Sequence, residues 1–178
     1  MSGHSHWAGI KHKKEATDKK RGQAFSKLLA AVSAAAKTEP NLDSNPRLRA
    51  AVLKAREEKV PSLNIERAIK RASEAVGGLE ELIFEAYGPG GAALIVAAIT
   101  DNRNRTVSEV KKILSDGGGK WGESGSVRWA FEAPATPDGE WRAKFLQQLS
   151  PSDKKALSLL VGALENHDDV QGVFANAA

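Results

Sequence analysis

The apolar residues of this 178-residue chain change their spacing at Gly77-Gly78, and that change restricts the architectures open to it. Before it they recur every three or four residues, as on one face of a helix. Phe25, Leu28, Leu29, Val32 and Ala36 predict a helix from about Lys19 that stops before Pro40. Asn45-Pro46 offers an N-cap with proline at the first helical position, followed by the stripe Leu48, Val52 and Ala55. Pro61 interrupts, and Ile65, Ala68, Ile69 and Ala72 mark a third helix that Gly77-Gly78 ends. Three narrow stripes can be buried only against one another, which predicts a three-helix bundle.

Beyond Gly78 the pattern is that of strands. Leu82 to Tyr87 and Ala92 to Thr100 flank the turn Gly88-Pro89-Gly90-Gly91, and the second run is apolar along nearly its whole length. Thr106 and Glu109 read as a capping box, opening a helix with Val107, Val110, Ile113 and Leu114 inward and Gly117-Gly118-Gly119 as its stop. Ser126 to Glu132 alternates as a half-buried strand, with Val127, Trp129 and Phe131 inward. Pro134 to Asp138 is a loop, and Glu140 to Leu149 a helical turn or two. Ser152 starts a last helix with Leu157, Leu160, Val161 and Leu164 inward, and Val170 to Phe174 is a final strand. The expectation is an α+β protein: residues 1–78 a basic arm and three-helix bundle, residues 79–178 a two-layer domain of about four strands and two helices.

Charge divides at the same place. Residues 1–75 hold 16 Lys+Arg against 8 Asp+Glu, and the remainder 10 against 14, so a basic head precedes an acidic body. Such asymmetry points to a polyanionic partner for the head, although Lys and Arg also favour helices in their own right. The absence of cysteine excludes disulfides and thiolate chemistry and fits a reducing compartment. No apolar run reaches the roughly 18–20 residues of a membrane span, and Met1 to Ile10 lacks a signal-peptide core, so a cytoplasmic protein without membrane partners is expected.

The densest chemical feature is the arm: His4, His6, Trp7, Lys11, His12, Lys13 and Lys14, then Lys19, Lys20, Arg21 and Lys27. Cations there would release counterions from a phosphate backbone, and an indole would stack on an unpaired base. A solvated leader is the plainer reading, but Trp7 suits it poorly. His4, His6 and His12 lack an Asp, Glu or Cys at matching spacing, so no metal is expected. A second cluster, Arg103, Asn104 and Arg105, lies where a strand end meets a helix start, where free N–H groups and guanidinium forks suit phosphates or base edges. Surface ion pairs are the competing role for these arginines. The segment GGGKWGESGS lacks the order and ending of a phosphate loop and reads as a helix stop with a flexible connector. Ser124 with the distant His167 and its acidic neighbours leaves a serine hydrolase as a remote alternative, and otherwise no catalytic constellation, cofactor or small-molecule substrate is indicated.

Taken together, GHSHWAGIKHKK, KRGQAFSKL, NPRLR, NIERAIKRA, YGPGGAALIV, TDNRNRTVSEV and GESGSVRW resemble the YebC/PmpR family, which includes mitochondrial translational activators of a cytochrome oxidase subunit. The resemblance covers about Ser2 to Phe131 and resumes at ALSLLVGALENHDDVQGVFANA. It implies a helical domain followed by two α+β domains, no cofactor, and a role as a DNA-binding transcriptional regulator or a ribosome-associated factor that aids elongation. It places the family's basic loop at Lys11, His12, Lys13 and Lys14 and its arginine loop at Arg103, Asn104 and Arg105.

Three departures matter. His6 stands where lysine is usual, Ser62 stands where lysine commonly follows proline, and only a connector joins Glu132 to Ser152 where relatives carry a third domain. The sequence therefore reads as a non-enzymatic nucleic-acid-binding regulator, with ribosomal RNA the favoured target and duplex DNA the alternative.

Overall fold

Seven of the eight residues from Ala93 to Thr100 are apolar, so a strand there needs cover on both faces. The computed structural model describes residues 5–74, 78–135 and 139–177, with side chains from Thr17 onward, and it supplies that cover. Strand β2 (Ala93–Thr100) lies between β1 (Glu80–Tyr87) and β6 (Val170–Ala175), with β3 (Lys120–Trp121) outside β1. All three pairings are antiparallel. On one face Leu82, Phe84, Leu94, Val96 and Ala98 pack against Val110 and Leu114 of α4 (Arg103–Asp116) and Leu157, Leu160 and Leu164 of α5 (Pro151–Glu165). On the other, Ala93 and Ile95 meet Val127, Ala130 and Phe131, beside the small hairpin of β4 (Phe131–Glu132) and β5 (Arg142–Ala143).

The preceding helices are α1 (Ser5–Thr38), α2 (Pro46–Glu57) and α3 (Ser62–Glu74). Asn45 caps α2 by accepting the Leu48 N–H at 3.0 Å, and its Nδ2 donates to the Ala35 carbonyl at 2.9 Å, so one amide also ties α1 to α2. Val32, Ala36, Leu48, Val52, Ala55 and Ile65 form the core among these helices, with Phe25 against it. No apolar cluster of the described residues draws on both sides of residue 78. Polar contacts join the sides instead: Gln23 donates to the Asn166 carbonyl and Asp168 Oδ1, Lys27 to the Glu165 carbonyl, and Arg47 pairs with Glu81.

Five local expectations need correction. The arm is not irregular, because α1 begins at Ser5. Residues 5–20 contain no proline and five lysines, and extending a helix already anchored downstream requires no new nucleus. Helix α4 is capped by Asn102, which accepts the Arg105 N–H at 3.1 Å, and not by Thr106. Thr106 is fully buried, and its hydroxyl donates to Asp169 at 2.7 Å, a use that its Thr-x-x-Glu spacing does not reveal. Residues 126–132 are not one strand. The Glu85 carboxylate, 3% exposed, accepts the N–H groups of Gly125, Val127 and Arg128 and thereby removes them from any ladder. A 3-10 turn over Arg128–Ala130 then points Ala130 inward and leaves Trp129 62% exposed.

Glu140 to Leu149 contains β5 rather than a helix, since Arg142–Ala143 pairs with Phe131–Glu132 and the Lys144 N–H reaches the Ala130 carbonyl. The glycine-rich segment is no loose connector either. Gly118, at φ +75°, turns the chain out of α4, β3 follows at once, and a Cβ on Gly122 would meet Ser126 Oγ at 2.4 Å.

Burial alone would raise the Glu85 pKa, but the three amides and the Arg128 charge hold it below the ordinary 4.5. Its contribution is therefore complete above pH 4.5 and fades as pH falls through the lower folded value. Glu85→Gln should cost about 2–4 kcal/mol in denaturant unfolding at neutral pH and reduce the loss of stability on acidification. A cost under about 0.5 kcal/mol would contradict this role.

We further expect residues 1–78 and 79–178 to unfold as separate units. Leu48→Ala should cost about 2–5 kcal/mol and speed amide exchange across residues 25–72 while leaving β1 and β2 protected. Equal loss of protection on both sides would mean one cooperative unit.

Candidate nucleic-acid interface

The residues singled out by charge fall on two helices. His6, Trp7, Lys11, His12, Lys13 and Lys14 lie along the first half of α1, where the backbone alone is described, and His4 lies outside the described residues. Lys19, Lys20 and Arg21 follow on the same helix and are exposed, with the Arg21 guanidinium 5.2 Å from the centre of the Phe25 ring. Lys27 has a structural task. Its ammonium donates to the Glu165 carbonyl at 2.5 Å, and its pKa is lowered because burial outweighs the pull of Asp168 and Glu165.

Arg103, Asn104 and Arg105 form the first turn of α4 rather than a loop. Asn104 is exposed, but both arginines have carboxylate partners. Arg103 meets Glu80 at 2.6 Å, and Arg105 meets Asp169 at 2.9 Å and Asp101 at 3.0 Å. Burial would raise the Asp169 pKa, but hydrogen bonds from Thr106, Arg105 and Thr100, together with the Arg105 charge, hold it down. Arg103 and Arg105 are thus outnumbered by carboxylates, in contrast to the exposed cations of α1.

Beside this turn, Glu109, His167 and Asp169 place three potential metal ligands within 4.8 Å of one another. His167 Nδ1 accepts the Asp169 N–H at 3.1 Å, which puts the ring proton on Nε2, 2.8 Å from Glu109 Oε2. With Arg105 also on Asp169, hydrogen bonding already occupies these groups. Neither ring nitrogen is free to serve as a base for Ser124, which is exposed on the loop after β3.

Two further features escaped the sequence. Trp129 stacks on Phe145 with ring centres 5.6 Å apart, both exposed, because the 3-10 turn reverses the expected alternation. Arg67 and Arg71 of α3 are exposed and make no ion pair among the described residues. A count of charges along the chain gives no reason to separate them from their paired neighbours.

The comparisons agree with this architecture. Residues 5–75 match the TACO1/YebC protein N-terminal domain, and residues 79–138 match the TACO1/YebC second and third domain. A "Probable transcriptional regulatory protein" of Solibacter usitatus is 39% identical over 235 aligned positions, covering 99% of this chain and 95% of that relative. That alignment is longer than the 178-residue chain, so the relative carries residues with no counterpart here. A protein of the same description from Koribacter versatilis is 52% identical over 133 residues, and one from Dehalococcoides mccartyi is 54% identical over 136. In both, the match spans 54% of the relative's length, so this chain corresponds to about half of each. The crystal structure of a conserved hypothetical protein, Aq1575, from Aquifex aeolicus superposes with a TM-score of 0.84 at 34% identity, covering 98% of this chain and 97% of that one. No described helix is long and apolar enough to cross a membrane.

If the Arg103 charge is held in check by Glu80, releasing it should strengthen polyanion binding. Glu80→Gln should tighten binding to heparin or a random oligonucleotide roughly two- to fivefold at low salt, in line with the small energy of an exposed pair. Unchanged affinity in a salt titration would show that Arg103 faces no polyanion.

Proposed function

This chain belongs to the TACO1/YebC family, and from that premise we propose that it is a non-enzymatic regulator of gene expression that binds nucleic acid through its helical head, with ribosomal RNA as the target. The observation that carries this reading is the exposed cationic run of α1, Lys19 to Arg21, which continues in sequence the cluster Trp7, Lys11, His12, Lys13 and Lys14 on the same helix. Cations on one rod suit a phosphate backbone, and an indole beside them suits an unpaired base. The acidic body suits protein contact or a positioning role better than polyanion binding. The occupied nitrogens of His167 support the absence of serine-hydrolase chemistry.

Duplex DNA is the second reading, favoured by the relatives' description as probable transcriptional regulatory proteins. Lysines alone would serve a duplex, whereas Trp7 adds affinity only where bases are unstacked. Lys11→Ala, Lys13→Ala and Lys14→Ala together should weaken co-sedimentation with ribosomes and lower the slope of log affinity against log salt by roughly 0.7–0.9 for each phosphate no longer neutralised. Trp7→Ala should cost about 1–3 kcal/mol towards RNA with little change in slope. If duplex DNA binds more tightly at matched salt and ignores Trp7→Ala, the transcriptional reading replaces the ribosomal one. Binding of both that survives every variant would overturn the assignment to α1.

A further inference from the structure

The sequence places Ser26, Leu29, Ala30 and Ser33 on one face of α1 and Asn64, Arg67, Ala68 and Arg71 on one face of α3, each at three- and four-residue spacing. In the structure these two faces line one groove of about 430 Å³, together with Leu79. Its lining combines apolar Leu29, Ala30 and Ala68 with hydroxyl, amide and guanidinium groups. Lys27, Arg47, Arg103 and Arg105 are engaged elsewhere, but Arg67 and Arg71 are exposed and have no carboxylate partner among the described residues. One helical turn separates them, about 5–6 Å between Cβ atoms, and both line the groove.

Ser33 adds a chemical restriction. Its hydroxyl donates to the Ala68 carbonyl across a long 3.3 Å, an arrangement in which its lone pairs are left to accept. An acceptor there is of no use to a phosphate oxygen, which also only accepts. It suits a ligand that brings both negative charge for the arginines and a hydroxyl proton for Ser33. A ribonucleotide strand carries that pair at every residue, through its phosphodiester and its 2′-OH, and DNA lacks the second group.

We propose that the α1–α3 groove is a ribose-phosphate seat for single-stranded RNA, in which Arg67 and Arg71 hold consecutive phosphates and Ser33 accepts a 2′-OH. The proposal rests on the nucleic-acid reading above and adds to it a second site, apart from the lysines near the start of α1, and a means of telling RNA from DNA.

The test uses fluorescence anisotropy of the full chain with a short labelled oligoribonucleotide and the deoxy oligonucleotide of the same sequence. Arg67→Ala with Arg71→Ala should weaken RNA binding about tenfold and lower the salt slope by roughly 1.4, two single-strand phosphates at about 0.7 each. Arg67→Lys with Arg71→Lys should keep the slope but lose part of the affinity, because the bidentate fork is gone. Ser33→Ala should reduce the preference for RNA over DNA about three- to tenfold and leave DNA affinity unchanged. Arg142→Ala, which removes one exposed cation from β5, serves as the control and should do little. Unfolding midpoints should confirm that every variant folds. If wild type binds RNA but the double alanine variant matches Arg142→Ala, the groove proposal falls and the broader reading stands. Wild type that binds no RNA overturns both. Loss of RNA and DNA binding in equal measure with Ser33→Ala overturns the part given to the 2′-OH.

Discussion

A carboxylate buried beneath a sheet can keep its charge only if fixed donors replace the water it has lost, and Glu85 meets that condition with three backbone amides and a guanidinium. Much of the second half depends on it. Those amides belong to the segment that lays Val127, Ala130 and Phe131 over Ala93 and Ile95, so the glutamate fastens one of the two covers that β2 requires. The other cover, α4 and α5, adheres through ordinary apolar packing. Remove the carboxylate's charge and a segment with little regular structure of its own loses its anchor, exposing a strand that has no polar face to offer water.

Where local pattern and tertiary context agreed, the sequence was sufficient. Asn45-Pro46 starts α2, Leu48, Val52 and Ala55 face inward, and β1, β2, α4, α5 and β6 lie within a few residues of the expected bounds. It failed where a distant partner decided the local choice. Val127, Trp129 and Phe131 alternate convincingly, yet Glu85, some 40 positions away, draws their backbone into a turn. Thr106 looks like a cap until Asp169 takes its proton. The cationic segment of α1 was legible because charge density is a property of composition. Arg67 and Arg71 were not, since their distinction is the lack of a partner, and that appears only when every carboxylate has been placed.

The cations thus divide into two populations. Lys27, Arg47, Arg103 and Arg105 bind the protein to itself: Lys27 and Arg47 join the head to the Glu165 carbonyl and to Glu81, while Arg103 and Arg105 pair with Glu80 and Asp169 within the body. Lys19, Lys20, Arg67 and Arg71 face outward. Fixed carboxylates already pair with its three arginines, so ionic strength acts on this group by weakening internal ties. The second group has only mobile counterions to exchange. A salt titration therefore reads two properties at once, the strength of any polyanion complex and the firmness with which head and body are held together.

The length of α1 has a mechanical side. At 1.5 Å per residue its 34 residues measure about 50 Å, and about 27 Å of that lies on the N-terminal side of Gln23, whose side chain touches the body. The helix is a cantilever with its support near the middle. A rotation of about 5° at that support sweeps the tip through roughly 2 Å, most of the width of a hydrogen bond, without disturbing a single turn of the rod. Gln23 and Lys27, which serve as its bracket, thereby set the aim of a segment they never touch.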